Sequence, residues 1–142
     1  MNHWETKSGE HVRVYLLDTN VWLWMVEEPS HIPANMQDIV KNADNYPFAL
    51  SAISVWEVAK KVSLGKLGLS VPIQDWIEKA TNETYIHILP LSVQVSVEST
   101  QLPGKFHKDP ADQIIVATAR HHNLIILTAD RLIQSYPFVK TV

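Results

Sequence analysis

The stretch HKDPADQIIVATARHHNLIILTAD, residues His107–Asp130, decides the fold class because it joins a helix directly to a strand. Asp109 followed by Pro110 is typical of an N-cap with proline at the first helical position. The apolar residues that follow predict a largely buried helix over Pro110–His122, and LIIL at Leu124–Leu127 predicts a buried strand. Three aspartates of this stretch either cap helices or belong to a shared site: Asp109, Asp112 and Asp130.

The rest of the chain alternates in the same way between short apolar runs and helical segments. We predict strands at residues 12–17, 46–51, 86–90 and 124–127, with an edge strand at 138–142. We predict helices at residues 21–28, 33–45, 52–67, 71–83, 92–102, 110–122 and 131–136. This alternation is typical of a three-layer α/β/α sandwich around a mostly parallel sheet of four or five strands. Ligands of such sheets bind beyond the carboxyl ends of the strands, where Asp18 and Asp130 follow predicted strands.

Length and composition indicate one compact domain over residues 1–142, with 46% hydrophobic and 19% charged residues. The chain has no cysteine, which excludes disulfides, thiol catalysis and thiolate metal sites. We expect residues 1–13, which lack the apolar region of a signal peptide, to be an N-terminal extension whose role is open. No apolar run is long enough to span a bilayer, so we expect a cytoplasmic protein that does not act in a membrane. The net charge of −3 argues against bulk electrostatic coating of nucleic acid.

Four acids on different predicted elements have both a structural and a chemical interpretation: Asp18, Glu57, Asp112 and Asp130. Asp18 and Asp130 can cap the helices that follow them, and Asp109 is the strongest cap because proline follows it. Glu57 precedes two lysines by three and four residues, the favourable order for an exposed ion pair. If the acids instead lie together, each pair repels by roughly 3 kcal/mol at ~5 Å. Such a cluster needs a divalent cation with oxygen ligands, Mg²⁺ or Mn²⁺, which serves phosphoryl-transfer chemistry.

In order and spacing, LLDTNVWLW, LSAISVWEVAKKVSLGKL and FHKDPADQIIVATARHHNLIILTAD resemble the PIN-domain nucleases, specifically the VapC-type toxins of bacterial toxin–antitoxin pairs. The resemblance spans residues 15 to 130 and implies a PIN-like fold, cleavage of RNA, a cognate antitoxin and a homodimer. It also implies that one or two Mg²⁺ or Mn²⁺ ions are bound by four catalytic acids: Asp18, Glu57, Asp112 and Asp130. On the same resemblance three further residues support those acids: Asn20, Thr128 and Asp109. The chain departs from the family in one respect, which is that residues 1–13 precede its first strand.

Basic and aromatic residues near these motifs have separate interpretations. Lys105 and Lys108 lie in the loop that leads to the proposed site, and we expect them to contact the substrate backbone. Three residues lie at the C-terminal end of the predicted helix Pro110–His122, where positive charge interacts favourably with the helix dipole: Arg120, His121 and His122. We predict that four tryptophans pack in the core rather than stack on bases: Trp22, Trp24, Trp56 and Trp76.

Two other functions are compatible with the sequence. One is a catalytically silent PIN-like interaction domain in which every acid is a cap or an ion-pair partner. The other is a housekeeping RNA-processing nuclease without an antitoxin. A phosphatase of the haloacid-dehalogenase kind needs a second acid two residues after Asp18, where this chain has Asn20, and we set it aside. The common glycine-rich phosphate loops are also missing from the sequence.

Overall fold

The computed structural model describes residues 14–42, 47–82 and 86–142, in which five short strands form one parallel sheet. The strands are β1 Tyr15–Leu17, β2 Phe48–Ser51, β3 Ile86–Leu89, β4 Ile125–Leu127 and β5 Lys140–Thr141. Their spatial order is β3-β2-β1-β4-β5, with every neighbouring pair parallel. The predicted α/β class with a parallel sheet flanked by helices is confirmed.

Seven α-helices lie in the described ranges: α1 Thr19–Glu27, α2 Ala34–Lys41, α3 Ala52–Ser63, α4 Ile73–Asn82, α5 Val93–Glu98, α6 Pro110–His122 and α7 Arg131–Gln134. A 3-10 turn at Pro29–His31 was not predicted. Most helices are shorter than predicted, and α3 ends at Ser63 because Gly65 follows in a left-handed conformation with φ of 69°. The parts of predicted strands and helices that cover residues 12–13, 43–46 and 83 lie outside the described residues, as does the N-terminal segment 1–13.

The central strand is apolar along its whole length because both faces of the sheet are covered. Tyr15 and Leu17 contribute to one apolar cluster, and Leu16 contributes to a second one on the opposite face. In the first cluster the buried rings of Trp22 and Trp76 meet edge to face with centroids 5.1 Å apart. No helix of the described residues is long and apolar enough to cross a membrane.

The prediction that four tryptophans pack in the core needs one correction. It is confirmed for Trp22 and Trp76, which are buried, and Trp24 is partly buried against the same cluster. It is wrong for Trp56, which is 57% exposed on α3. Trp56 lies among aliphatic residues in the sequence, but the face of α3 that carries it is not the face that packs on the sheet.

The sheet topology places several acids at one edge. β1 and β4 are neighbours in register, with Leu17 paired to Leu127. The backbone N–H of Asp18 donates to the carbonyl oxygen of Leu127 at 3.0 Å, so the chain leaves both strands at the same level. Because α1 and α3 begin directly after β1 and β2, their first turns lie at this carboxyl edge.

Candidate active site

Asp18 lies at the end of β1, where two hydrogen bonds hold its carboxylate. Oδ2 accepts from the hydroxyl of Thr128 at 2.7 Å, and Oδ1 accepts from the backbone N–H of Thr19 at 2.8 Å. Only 6% of Asp18 is exposed. Burial raises the pKa of Asp18, and the hydrogen bonds from Thr128 and Thr19 oppose that shift. Asp18 therefore caps α1, as one interpretation of the sequence predicted, and also belongs to a buried polar cluster.

Glu57 reaches the same cluster from α3. Its Oε1 accepts a hydrogen bond from the Thr19 hydroxyl at 2.6 Å. The Thr19 hydroxyl oxygen also lies 2.8 Å from the hydroxyl oxygen of Ser54. Because the single proton of the Thr19 hydroxyl is donated to Glu57, the Ser54 hydroxyl is the donor in this second hydrogen bond. Burial raises the pKa of Glu57, while the hydrogen bond from Thr19 and the nearby charge of Lys61 lower it. The carboxylate thus turns toward Thr19 instead of forming the surface ion pair that the sequence also allowed.

Helix α6 contributes a capping aspartate and a second, more buried aspartate. The exposed Asp109 is the N-cap, and its Oδ1 accepts from the backbone N–H of Asp112 at 3.0 Å. The Asp112 side chain is 18% exposed, and its Oδ2 lies 3.0 Å from Nε2 of His107. Burial, together with the charges of the other four acids at this edge, raises the pKa of Asp112 from 3.8 to about 7. Asp112 therefore lies in an environment that disfavours its negative charge.

Asp130 is joined to Asp18 through Thr128. The side chain of Asp130 caps α7 by accepting from the backbone N–H groups of Leu132 at 2.8 Å and Ile133 at 3.3 Å. Its own N–H donates to the Thr128 hydroxyl oxygen at 3.0 Å. That same hydroxyl donates to Asp18, so one fully buried threonine contacts both acidic residues. The charge of Asp130 also raises the pKa of Asp18.

The predicted supporting residues lie in different surroundings. Thr128 contacts Asp18 and Asp130, whereas Asn20 is exposed on the first turn of α1. Lys105 and Lys108 are exposed in the loop that precedes α6.

Three further side chains were not assigned to the site from the sequence: Thr19, Ser54 and His107. Thr19 directly follows Asp18, and Ser54 lies one helical turn before Glu57, so helical spacing carried a signal for Ser54. His107 lies between Lys105 and Lys108 in the loop before α6, and its ring contacts Asp112.

The four predicted acids form one electrostatic cluster, because the charges of Asp18, Glu57 and Asp130 all raise the pKa of Asp112. In the described ranges, no three Asp, Glu or His side chains are already gathered around an ion position. Carboxylates without a counter-ion repel, and most of these are turned toward local hydrogen-bond donors. Oxygen donors of this kind suit Mg²⁺ or Mn²⁺. Burial, followed by the charges of the neighbouring acids, raises the pKa of Asp112, so this edge of the sheet disfavours a further negative charge.

Comparison with known proteins gives consistent results. Residues 15–139 match the family model of the PIN domain. The chain is 29% identical over 121 residues to Ribonuclease VapC22 of Mycobacterium tuberculosis, which covers 85% of this chain and 90% of that relative.

Solved structures also share the fold. One is VapBC2 from Rickettsia felis bound to a DNA fragment from its promoter, which superposes with a TM-score of 0.68 and is 17% identical in sequence. The match covers 91% of this chain and 97% of that chain. Another is VapBC-1 from nontypeable Haemophilus influenzae, with a TM-score of 0.65 and 18% identity over 91% and 96%.

Proposed function

This chain belongs to the PIN domain family, and on that premise we propose that it is a metal-dependent endoribonuclease, the toxin of a toxin–antitoxin pair. The observation that carries the proposal is the grouping of four acids at one edge of the sheet: Asp18, Glu57, Asp112 and Asp130. A relative that is 29% identical to this chain over 85% of its length is named a ribonuclease, which supports RNA as the substrate.

In this proposal the same four acids hold one or two Mg²⁺ or Mn²⁺ ions. A bound ion supplies polarisation of the scissile phosphate and lowers the pKa of a water molecule. The protein's own contribution is to keep the carboxylates in place before substrate arrives. Thr128 orients Asp18, and Thr19 orients Glu57, each through a hydrogen bond shorter than 2.8 Å. Ser54, in the first turn of α3, holds Thr19 in place through a hydrogen bond between their hydroxyl groups.

Lysines near the acids are proposed to contact the RNA backbone. The charge of Lys61 lowers the pKa of both Asp18 and Glu57, so its ammonium group is near them. Lys105 and Lys108 are exposed in the loop before α6, whose first turn carries Asp112. Because the chain as a whole is negatively charged, RNA binding depends on such local positive charges.

We also propose two protein partners, a cognate antitoxin and a second copy of this chain. The antitoxin is supported by the similarity to proteins solved as VapBC complexes. The homodimer is supported by exposed apolar side chains at two helices that both pack against α6. These are Trp56 and Leu64 at α3, and Val93 and Val97 at α5, with Val93 78% exposed. The apolar segment Val21–Val26 packs against the chain's own core and does not contribute to this surface.

The test of the proposed function is cleavage of single-stranded or structured RNA by purified protein in Mg²⁺ or Mn²⁺ and in excess EDTA. Wild type should cleave only with the metal, and Asp112→Asn should not cleave. Asp75→Asn is the matched control, because Asp75 also lies in the first turn of a helix but belongs to α4, which carries none of the four acids. Equal cleavage in EDTA contradicts metal dependence, and no cleavage under any condition favours the silent interaction domain.

Growth of cells that express the protein distinguishes a toxin from an RNA-processing nuclease without an antitoxin. A toxin should arrest growth when it is expressed alone and not when its antitoxin is expressed with it. Fractionation of the same cells tests the expected cytoplasmic location.

A further inference from the structure

The loop before α6 is held by aromatic residues of the C-terminal segment. The rings of Phe106 and Tyr136 lie 4.9 Å apart, and the Tyr136 hydroxyl donates to the carbonyl oxygen of Pro103 at 2.5 Å. Gly104 has φ of +65°, and a Cβ there would lie 2.9 Å from the ring of Phe138. These contacts fix residues 103–106 against the segment that follows α7.

The next residue, His107, is fixed from both sides. Its ring centroid lies 4.4 Å from that of Phe106, and its carbonyl oxygen accepts a hydrogen bond from the Gln113 side chain at 3.1 Å. The backbone and the ring therefore have little freedom relative to the first turn of α6, where Asp112 lies.

The imidazole of His107 is directed at Asp112. Nε2 lies 3.0 Å from Oδ2 of Asp112, at the distance of a hydrogen bond. That nitrogen is buried, yet it makes no aligned hydrogen bond within the described residues, so the 3.0 Å contact is close but not collinear. Buried ring nitrogens are normally paired, and the Asp112 carboxylate is the polar group that the structure places next to this nitrogen.

We propose that His107 is a positioning residue, whose Nε2–H donates to Oδ2 of Asp112 and leaves Oδ1 free as a ligand for the divalent cation. The inference rests on the proposed function, because it assigns Asp112 to the cation site. A hydrogen bond to the second oxygen of a ligating carboxylate fixes its rotation, which is the usual contribution of such outer partners to metal affinity. His107 itself touches neither the substrate nor the ion in this proposal.

A second histidine–carboxylate pair provides the matched control. His121, at the other end of α6, has Nδ1 3.1 Å from Oε1 of Glu98. The pair has nearly the same separation as His107 and Asp112, but none of the four proposed metal-binding acids is in it. Loss of His121 therefore removes a comparable contact without affecting the site.

The experiment is titration of Mn²⁺ into RNA-free protein, followed by the electron paramagnetic resonance signal of free Mn²⁺. Wild type is compared with His107→Leu, His107→Gln and His121→Leu. We expect His107→Leu to weaken Mn²⁺ binding by about 10- to 100-fold. His107→Gln should stay close to wild type because its amide nitrogen donates from nearly the same place, and His121→Leu should bind as wild type does. Melting curves in EDTA verify that each variant is folded. If the leucine variant does not fold, the glutamine variant still tests the inference, because a loss of Mn²⁺ affinity in that variant overturns it.

The possible outcomes separate this inference from the proposed function. If wild type binds Mn²⁺ and His107→Leu binds it equally well, the positioning role is wrong and the metal-dependent nuclease still stands. If His107→Gln loses as much affinity as His107→Leu, ring packing rather than the Nε2 hydrogen bond matters, and the inference is also overturned. If wild type binds no Mn²⁺, the proposed metal dependence fails and the role of His107 fails with it.

Discussion

The Thr128 hydroxyl donates a hydrogen bond of 2.7 Å to Oδ2 of Asp18, which joins the end of β4 to the end of β1. Both residues are almost fully buried, so this carboxylate depends on protein donors for compensation. The same hydroxyl accepts from the N–H of Asp130. One threonine thus links two acids that lie far apart in the sequence and follow the neighbouring strands β1 and β4.

The first prediction concerns that link. Thr128→Val keeps the shape of the side chain but removes the donor, so it should lower the free energy of unfolding by about 1.5–3 kcal/mol, as for a hydrogen bond to a charged group. Thr128→Ser keeps the hydroxyl and should lose much less. Urea denaturation at pH 7.5 measures both variants. If valine is tolerated as well as serine, the hydroxyl does not stabilise Asp18.

The second prediction separates capping from chemistry at the start of α6. Asp109 is exposed and its Oδ1 accepts from the N–H of Asp112, so Asp109→Ala should lose about 0.5–2 kcal/mol of stability. Asp109→Asn should lose little, because asparagine caps as well as aspartate does. Thermal melts of the two variants in EDTA check this. An asparagine variant as unstable as the alanine variant would show that the charge of Asp109, not its cap, stabilises the helix.

The third prediction is a pH dependence that arises from Asp112. Its pKa is raised from 3.8 to about 7 in the folded protein. The folded state therefore holds a proton that the unfolded state has already released, and metal-free stability should fall as pH rises from about 4 to about 7. In Asp112→Asn this part of the dependence should disappear. Urea melts in EDTA across that range measure it, and equal slopes for both proteins would contradict the raised pKa.

The fourth prediction tests the proposed homodimer. Val93 and Val97 are 78% and 50% exposed on α5, and glutamate at both positions should prevent apolar contact with a second copy. Light scattering should give twice 16.1 kDa for wild type and 16.1 kDa for the double variant. Val71→Glu is the control, because Val71 is exposed but lies before α4. A wild-type monomer at micromolar concentration, or a double variant that still dimerises, would contradict this interface.

The sequence predicted α6 with the bounds that the structure has, because both of its ends carry local signals. Asp109 and Pro110 mark the start, and Asn123, with φ of 54°, adopts the left-handed conformation that ends the helix. The interpretation of Asp18, Asp112 and Asp130 as site residues rests on similar local signals, since each follows a strand or lies in the first turn of a helix, whereas Glu57 lies within α3. By contrast, the hydrogen bonds of Thr19 to Glu57 and of Thr128 to Asp18 connect residues that only the folded chain brings together.

The exposure of Trp56 was missed for a related reason. Apolar periodicity shows that a helix has a buried face, but how α3 rotates against its neighbours depends on packing with elements distant in sequence. His107 was missed because its contact with Asp112 requires the loop to be held by Phe106 and Tyr136, a contact between residues far apart in the chain.

The central claim is that the four acids form one cation site, and the most direct test is the melting temperature in EDTA and in excess Mn²⁺. Wild type should melt at a higher temperature with Mn²⁺, because an ion that binds only the folded state stabilises it. Asp112→Asn should be at least as stable as wild type in EDTA, since one crowded negative charge is gone, and should gain little from Mn²⁺. A wild-type protein that gains no stability from Mn²⁺, or an Asp112→Asn protein that gains as much as wild type, would contradict the claim.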